Sequence, residues 1–273
     1  MSATRSAFLQ GLKPTLHISH RGGATLAPEN TMESFRMAVE RYRTDMLELD
    51  VHLTRDGEVV VAHDATLERC TDGTGPLCAL TLAELRRLDA GFGFSPDGGQ
   101  SFPFRGQGVR IPTLRELLRA FPALRLNIEL KPDVPGMEEA FALLLEEERA
   151  VERVCMGSEQ DALAERLVAR LPDACHFYPR DALAAFVITL RGGESPPEDP
   201  RYTVLDMPLY FGDVRLVDPG FLQACAERGK WVNVWTVDDP GEMDQLLREG
   251  VGGIMTDRPD LLRQRMDAYP KPG

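Results

Sequence analysis

A chain of 273 residues, 43% of them hydrophobic, carries enough apolar material for one large domain, and its length falls in the range of a (β/α)8 barrel. With 31 Lys and Arg against 43 Asp and Glu, its formal charge of −12 argues against general binding to nucleic acid or to anionic membranes. Any phosphate ligand must therefore be held by local positive charge.

The five cysteines, at 70, 78, 155, 175 and 225, are odd in number and show no metal-ligand spacing. They read as small buried hydrophobes in a reducing compartment. The first fourteen residues lack a signal-length apolar core, and no stretch approaches a membrane span, so a cytoplasmic protein without stable membrane insertion is expected.

In chain order, Leu16 to Ser19 is a short strand running into His20-Arg21-Gly22-Gly23, where glycines let the backbone turn just past the strand end. Pro28, Glu29 and Asn30 then open a helix reaching about Tyr42, with Asn30 or Thr31 as its cap. The next stretch, Met46 to Asp64, reads as a β-hairpin. Glu48 and Asp50 are two apart and leave the same face. Taking Asp56-Gly57 as a two-residue turn pairs Asp50 with His63, which sets an imidazole beside two carboxylates. Acidic strand residues are most often a solvated face, and a lone His is usually structural. Here, however, the two acids sit among Met, Leu, Leu and Val in a run typical of a buried strand. Two carboxylates in a dry place repel unless a cation neutralises them, so the pair points to a metal site.

From about residue 65 to 110 the periodicity breaks. Thr81 and Glu84 form a capping-box pattern on a short helix, and a glycine-rich run follows it. The segment reads as an inserted cap subdomain with a mobile loop over the barrel mouth. Regular alternation resumes at Ile111. Strands that alternate with helices begin near 16, 46, 124, 152, 174, 203, 231 and 251, and eight of them favour a closed parallel barrel over an open sheet. The expectation is an α/β chain: a single (β/α)8 TIM-type barrel over residues 1–273, with a small subdomain inserted at 65–110 after the second-strand hairpin. Polar residues cluster at strand carboxyl ends, among them Glu129 and Lys131 on one face of the strand from Leu124 and Trp235 at the end of the strand from Trp231. In such a barrel that end is where active sites are assembled.

The motifs HRGG at 20, PENT at 28, ELDVHLTRDG at 48, VAHD at 61, LDAG at 88, IPTL at 111, NIELKP at 127, WTVDD at 235 and TDRP at 256 together resemble the glycerophosphodiester phosphodiesterase family, in its order and from about Leu16 to Leu262. The resemblance implies a hydrolase that splits glycerophosphodiesters into an alcohol and glycerol 3-phosphate with a divalent cation. It implies Glu48, Asp50 and Glu129 as metal ligands and His20 and His63 as the acid/base pair. Arg21 and Lys131 are implied as phosphate binders, and Trp235 as the aromatic residue near the glycerol. Ala24, Leu26 and Tyr210 lie where the family varies.

The chemistry of these residues agrees. Three carboxylates without sulfur make a hard oxygen site suited to Mg²⁺ or Ca²⁺ and less to Zn²⁺. Arg21 is able to grip a phosphate bidentately, whereas Lys131 offers a compact charge. Two imidazoles suit proton exchange near neutral pH. His17 and His52 are assigned structural roles; Asn127, His176 and Tyr178 are weaker site candidates. Two other functions remain in view, a lysophospholipid-directed phosphodiesterase using the same site and a noncatalytic phosphate-binding barrel.

Overall fold

A computed structural model describes residues 7–197 and 199–269. In chain order the strands are β1 (Leu16–His20), β2 (Met46–Leu53), β3 (Val59–Val61), β4 (Arg125–Leu130), β5 (Val154–Gly157), β6 (Cys175–His176), β7 (Val204–Pro208), β8 (Tyr210–Phe211), β9 (Val214–Arg215), β10 (Trp231–Trp235) and β11 (Gly253–Thr256). The helices are α1 (Met32–Arg36), α2 (Leu82–Leu85), α3 (Leu114–Ala120), α4 (Met137–Glu147), α5 (Asp161–Arg170), α6 (Arg180–Arg191), α7 (Pro219–Glu227), α8 (Pro240–Glu249) and α9 (Pro259–Ala268), with a π turn over Met37–Arg41 extending α1.

Eight strands lie side by side in the order β6-β5-β4-β2-β1-β11-β10-β7, every neighbouring pair parallel. The two ends of this path meet at a single parallel bridge between Phe177 and Val204, where the Thr203 N–H donates to the His176 carbonyl and the Tyr178 N–H to the Val204 carbonyl. The barrel expected from eight alternating strands is therefore present, and its β6–β7 seam is its thinnest point.

Apolar layers on both faces of the strands make this arrangement stable. Outside, β2, β4 and β5 pack on α3, α4 and α5 through residues such as Leu49, Leu117, Ile128, Phe141 and Leu167, while the other half packs through Leu205, Val234, Met243 and Leu262. Inside, Ile18, Met46, Phe177, Val204 and Met255 fill the lower barrel, and Phe8 and Leu9 plug its amino-terminal end. Of the cysteines, 155, 175 and 225 are buried as expected; Cys78 is exposed.

The hairpin differs from the sequence expectation by one residue. Thr54 to Gly57 forms a loop in which the Gly57 N–H donates to the Thr54 carbonyl, and Gly57 takes a left-handed φ of 84°. Three residues, not two, then separate the paired positions, so Val51 faces Val61 and the Ala62 N–H donates to the Asp50 carbonyl. Thr54 dictates this choice: its hydroxyl donates to Asp56 and accepts from the Glu58 N–H. His63 is consequently past the ladder, not opposite Asp50, and His52 holds it there through a 3.0 Å contact between its Nε2 and the His63 carbonyl.

Residues 65–110 pack on the outside of β3 through Val60, Leu67, Leu77, Leu85, Ala90, Val109 and Ile111, and Thr81 and Glu84 do form a capping box on α2. The glycine-rich run is expected over the mouth, yet the main cavity is lined by none of the residues from 65 to 110. The β8–β9 hairpin and α6 stand there instead.

The seam supplies a stability test. A Cβ on Gly157 would lie 2.6 Å from the ring of Phe177, the residue whose backbone makes the closing bridge. Gly157→Ala should lose about 1–3 kcal/mol in urea unfolding; no measurable loss would show that the seam tolerates displacement of the ring.

Candidate active site

The carboxyl ends of the barrel strands open into a cavity of about 650 Å³. All eight residues singled out in the sequence, His20, Arg21, Glu48, Asp50, His63, Glu129, Lys131 and Trp235, line it. Strand register explains the convergence of the acids. His20 is beside Glu48 across the β1–β2 pair, and Asp50 is beside Glu129 across β2–β4. Neighbouring parallel strands lie about 4.8 Å apart, so in-register residues share a face at short range.

Asp50 is almost fully buried and is surrounded by donors. Lys131 Nζ is 3.2 Å from one of its oxygens, Arg21 Nε is 3.3 Å from the other, and Asn30 Nδ2 donates to that second oxygen at 3.0 Å. Burial alone would raise its pKa, but Lys131 and Arg21 outweigh burial and hold the carboxyl below its ordinary value. Glu48 and Glu129 differ. Burial, reinforced by the charge of Asp50, pushes Glu48 up to about 8. Burial likewise pushes Glu129 up to about 7, even though Lys131 Nζ donates to it at 2.8 Å. Of the three acids, Glu48 and Glu129 are therefore raised by burial, whereas Asp50 is not.

As they stand, among the described residues no three His, Cys, Asp or Glu side chains form a group that could hold a metal ion. Lys131 bridges Asp50 and Glu129 instead.

Both imidazoles are backed by carboxylates. His20 Nδ1 is 2.8 Å from Asp257, and His63 Nδ1 is 2.6 Å from Asp64. A carboxylate only accepts, so Nδ1 carries a proton in each ring, and in the neutral ring Nε2 carries the lone pair. His20 Nε2 is 3.8 Å from Glu48. Burial lowers the His20 pKa, but Glu48 and Asp257 outweigh it and leave it raised.

The strand-to-helix turn after β1 is built to aim Arg21. Its φ is +50°, its own N–H donates to Glu48 at 3.0 Å, and Nη1 donates to Glu29 at 3.1 Å. Gly22 and Gly23 follow at φ of 83° and 98°; a Cβ on either would strike Ser34 or Pro259. Asn30, an expected helix cap, leaves capping to Thr31 and takes φ of 57° to reach Asp50.

His17 and His52 are buried and make structural contacts, as expected: His17 touches Thr44 and the Pro259 carbonyl. His176 is tied to the Leu171 carbonyl and does not line the cavity, whereas Tyr178 does. Asn127 donates to Asp206, which also accepts from Asn233, and burial raises Asp206 to about 6 against these two hydrogen bonds.

The glycerophosphoryl diester phosphodiesterase family model matches residues 20–261. The chain belongs to this family. A glycerophosphodiester phosphodiesterase of Caldanaerobacter subterraneus subsp. tengcongensis is 34% identical over 91% of this chain and 96% of its own. Lysophospholipase D GDPD1 of Mus musculus is 27% identical over 93% and 86%. The solved structure of an Oleispira antarctica phosphodiesterase, in complex with the product sn-glycerol-3-phosphate, superposes with a TM-score of 0.72 at 27% identity, covering 93% of this chain and 97% of that one. The assignment of the chain as a phosphodiesterase enzyme on a TIM-type barrel holds.

Within this phosphodiesterase, sequence reasoning gave no role to Asp257, Asp64, Glu29 or Arg69, although the first three lie inside motifs that carry the family resemblance. Arg69 links two sides of the site. It binds Glu29 through Nη1 at 2.6 Å and Nη2 at 2.8 Å, and Asp64 through Nε at 2.5 Å. Glu29 then holds Arg21, and Asp64 holds His63. Arg69→Ala should lower kcat/KM by about 10–100-fold, the range for losing such a supporting contact, while the half-exposed side chain leaves the unfolding midpoint near wild type. Activity within twofold of wild type would remove Arg69 from the positioning of the site.

Proposed function

We propose that the protein hydrolyses glycerophosphodiesters to an alcohol and glycerol 3-phosphate, with His20 and His63 exchanging protons and a divalent cation, Mg²⁺ or Ca²⁺, held by Glu48, Asp50 and Glu129. One observation carries the reading: two imidazoles, each fixed at Nδ1 by a carboxylate, line the same cavity as three acids and two cations. Phosphodiester cleavage needs one group to take the nucleophile's proton and another to protonate the leaving alkoxide. Nε2 of either ring suits either task.

The donor set fits a hard cation. It offers carboxylate oxygens without sulfur, and two of the three acids are pushed up by burial for want of positive charge. Bound there, a divalent cation would offset that charge and polarise a phosphoryl oxygen. Lys131 would have to leave its bridge between Asp50 and Glu129, which frees its ammonium for a phosphate oxygen. Arg21, aimed by its left-handed backbone and by Glu29, supplies a planar donor pair to the same phosphate. Both cations then stabilise charge that builds up as the diester is attacked.

The test is metal-stripped protein mixed with a panel of glycerophosphodiesters, with and without Mg²⁺ or Ca²⁺, followed by identification of products. Turnover should return with the cation and yield glycerol 3-phosphate. His20→Ala and His63→Ala should each lose about 10²–10⁴-fold in kcat while retaining the cation. Near-normal turnover in either variant would take that histidine out of the mechanism. Full turnover without added cation would take the metal out, and no turnover of any diester would favour a noncatalytic phosphate-binding barrel.

A further inference from the structure

The cavity holds one further carboxylate that the chemistry above does not use. Asp206 of β7 lines it, gripped by two amides. Asn233, from the neighbouring strand β10, donates to one of its oxygens, and Asn127, reaching across the barrel from β4, donates to the other, each at 2.8 Å. Trp231 sets the orientation of Asn233: its Nε1–H donates to Asn233 Oδ1 at 2.9 Å and leaves the amide nitrogen for Asp206. Gly253 makes room for this arrangement, since a Cβ there would lie 2.4 Å from Asn233 Oδ1. Both asparagines are 2% exposed, whereas Asp206 stays open to the cavity. A carboxylate offers about four acceptor sites, and the two amides occupy half of them. Among the described residues no cation is paired with Asp206, and burial raises it to about 6, which leaves it ionised at neutral pH. An ionised group at that depth with acceptor sites to spare is costly unless a ligand brings donors.

Depth points to the donor. On β4, Asn127 precedes Glu129 by two residues on the same face, so its partner Asp206 lies roughly 7 Å below the level of Glu129, at ~3.3 Å per residue. The three carbons of glycerol cover about that distance from a phosphate held by Arg21 and Lys131. Beneath, Ile18, Met46, Phe177, Val204 and Met255 close the barrel. A headgroup of variable size must therefore lie toward the mouth, and the small glycerol toward the floor. We propose that Asp206 recognises the glycerol: its carboxylate accepts hydrogen bonds from the unesterified hydroxyls and makes the enzyme selective for a free diol beside the phosphate. This rests on the phosphodiesterase reading above and gives it a specificity-determining residue. With Asn127 and Asn233 fixing the carboxylate in place, a ligand lacking those hydroxyls leaves its acceptor sites unpaired.

Titration calorimetry on the full chain with Mg²⁺ present tests this without turnover. Glycerol 3-phosphate should bind at least about tenfold tighter than propyl phosphate, which has the same phosphate and carbon chain but neither hydroxyl, as expected for hydrogen bonds to a charged group. In Asp206→Ala that ratio should fall at least about fivefold, with propyl phosphate binding within about twofold of wild type. An unchanged ratio would overturn the proposal, and so would an equal loss for both ligands, which would make Asp206 a support of the floor only. A crystal of the unsubstituted protein soaked with glycerol 3-phosphate decides the matter whether or not the variant folds. A glycerol hydroxyl oxygen should lie about 2.5–3.0 Å from an Asp206 oxygen; glycerol directed to the mouth, away from Asp206, would overturn the proposal. Glycerophosphocholine turnover without hydroxyl selectivity at Asp206 would remove this assignment and leave the hydrolase standing. Hydroxyl-dependent binding without turnover of any diester would do the reverse.

Discussion

The buried charge of Asp50 is the constraint on which the site depends. An isolated carboxylate at that depth would be protonated or would unfold its surroundings. Lys131 from the end of β4, Arg21 from the turn after β1, and Asn30 from the start of α1 all converge on it. Those three contacts tie together elements far apart in sequence. Two of the three come from residues with left-handed backbone, Arg21 and Asn30. Lys131 and the Arg21 N–H also serve Glu129 and Glu48, yet burial still pushes both of those acids up.

Much of this was legible in the sequence because it follows from period and register. Alternating strands and helices lead to the barrel, and a two-residue spacing in ELD and ELK leads to charged side chains on one face of adjacent strands. The hairpin register was not legible in the same way. Asp56-Gly57 is compatible with both a two-residue and a three-residue loop, and a threonine hydroxyl decides between them. Nor was the support of the histidines. Asp257 reaches His20 across 237 positions, and Arg69 reaches Glu29 across 40, so the distances lie outside any local pattern.

The cover of the cavity was also misplaced, for a physical reason. Glycine-rich segments look like mobile lids, but the one here is anchored beside β3 by a small apolar cluster that includes Leu77 and Leu85. The hairpin from Tyr210 to Arg215 is too short to stand out by periodicity, yet it brings Phe211 to the mouth. The mouth thus carries ion-paired acids on the β1, β2 and β4 side, while Ile188, Phe211 and Val214 stand exposed on the α6 and β8–β9 side.

The proposal turns on a divalent cation shared by Glu48, Asp50 and Glu129. The most direct measurement is an anomalous difference map from crystals grown with Mn²⁺. The account predicts a single strong peak within about 2–2.6 Å of oxygens from Glu48, Asp50 and Glu129, with Lys131 moved off its bridge. No peak at that position, with Lys131 still between Asp50 and Glu129, would contradict it.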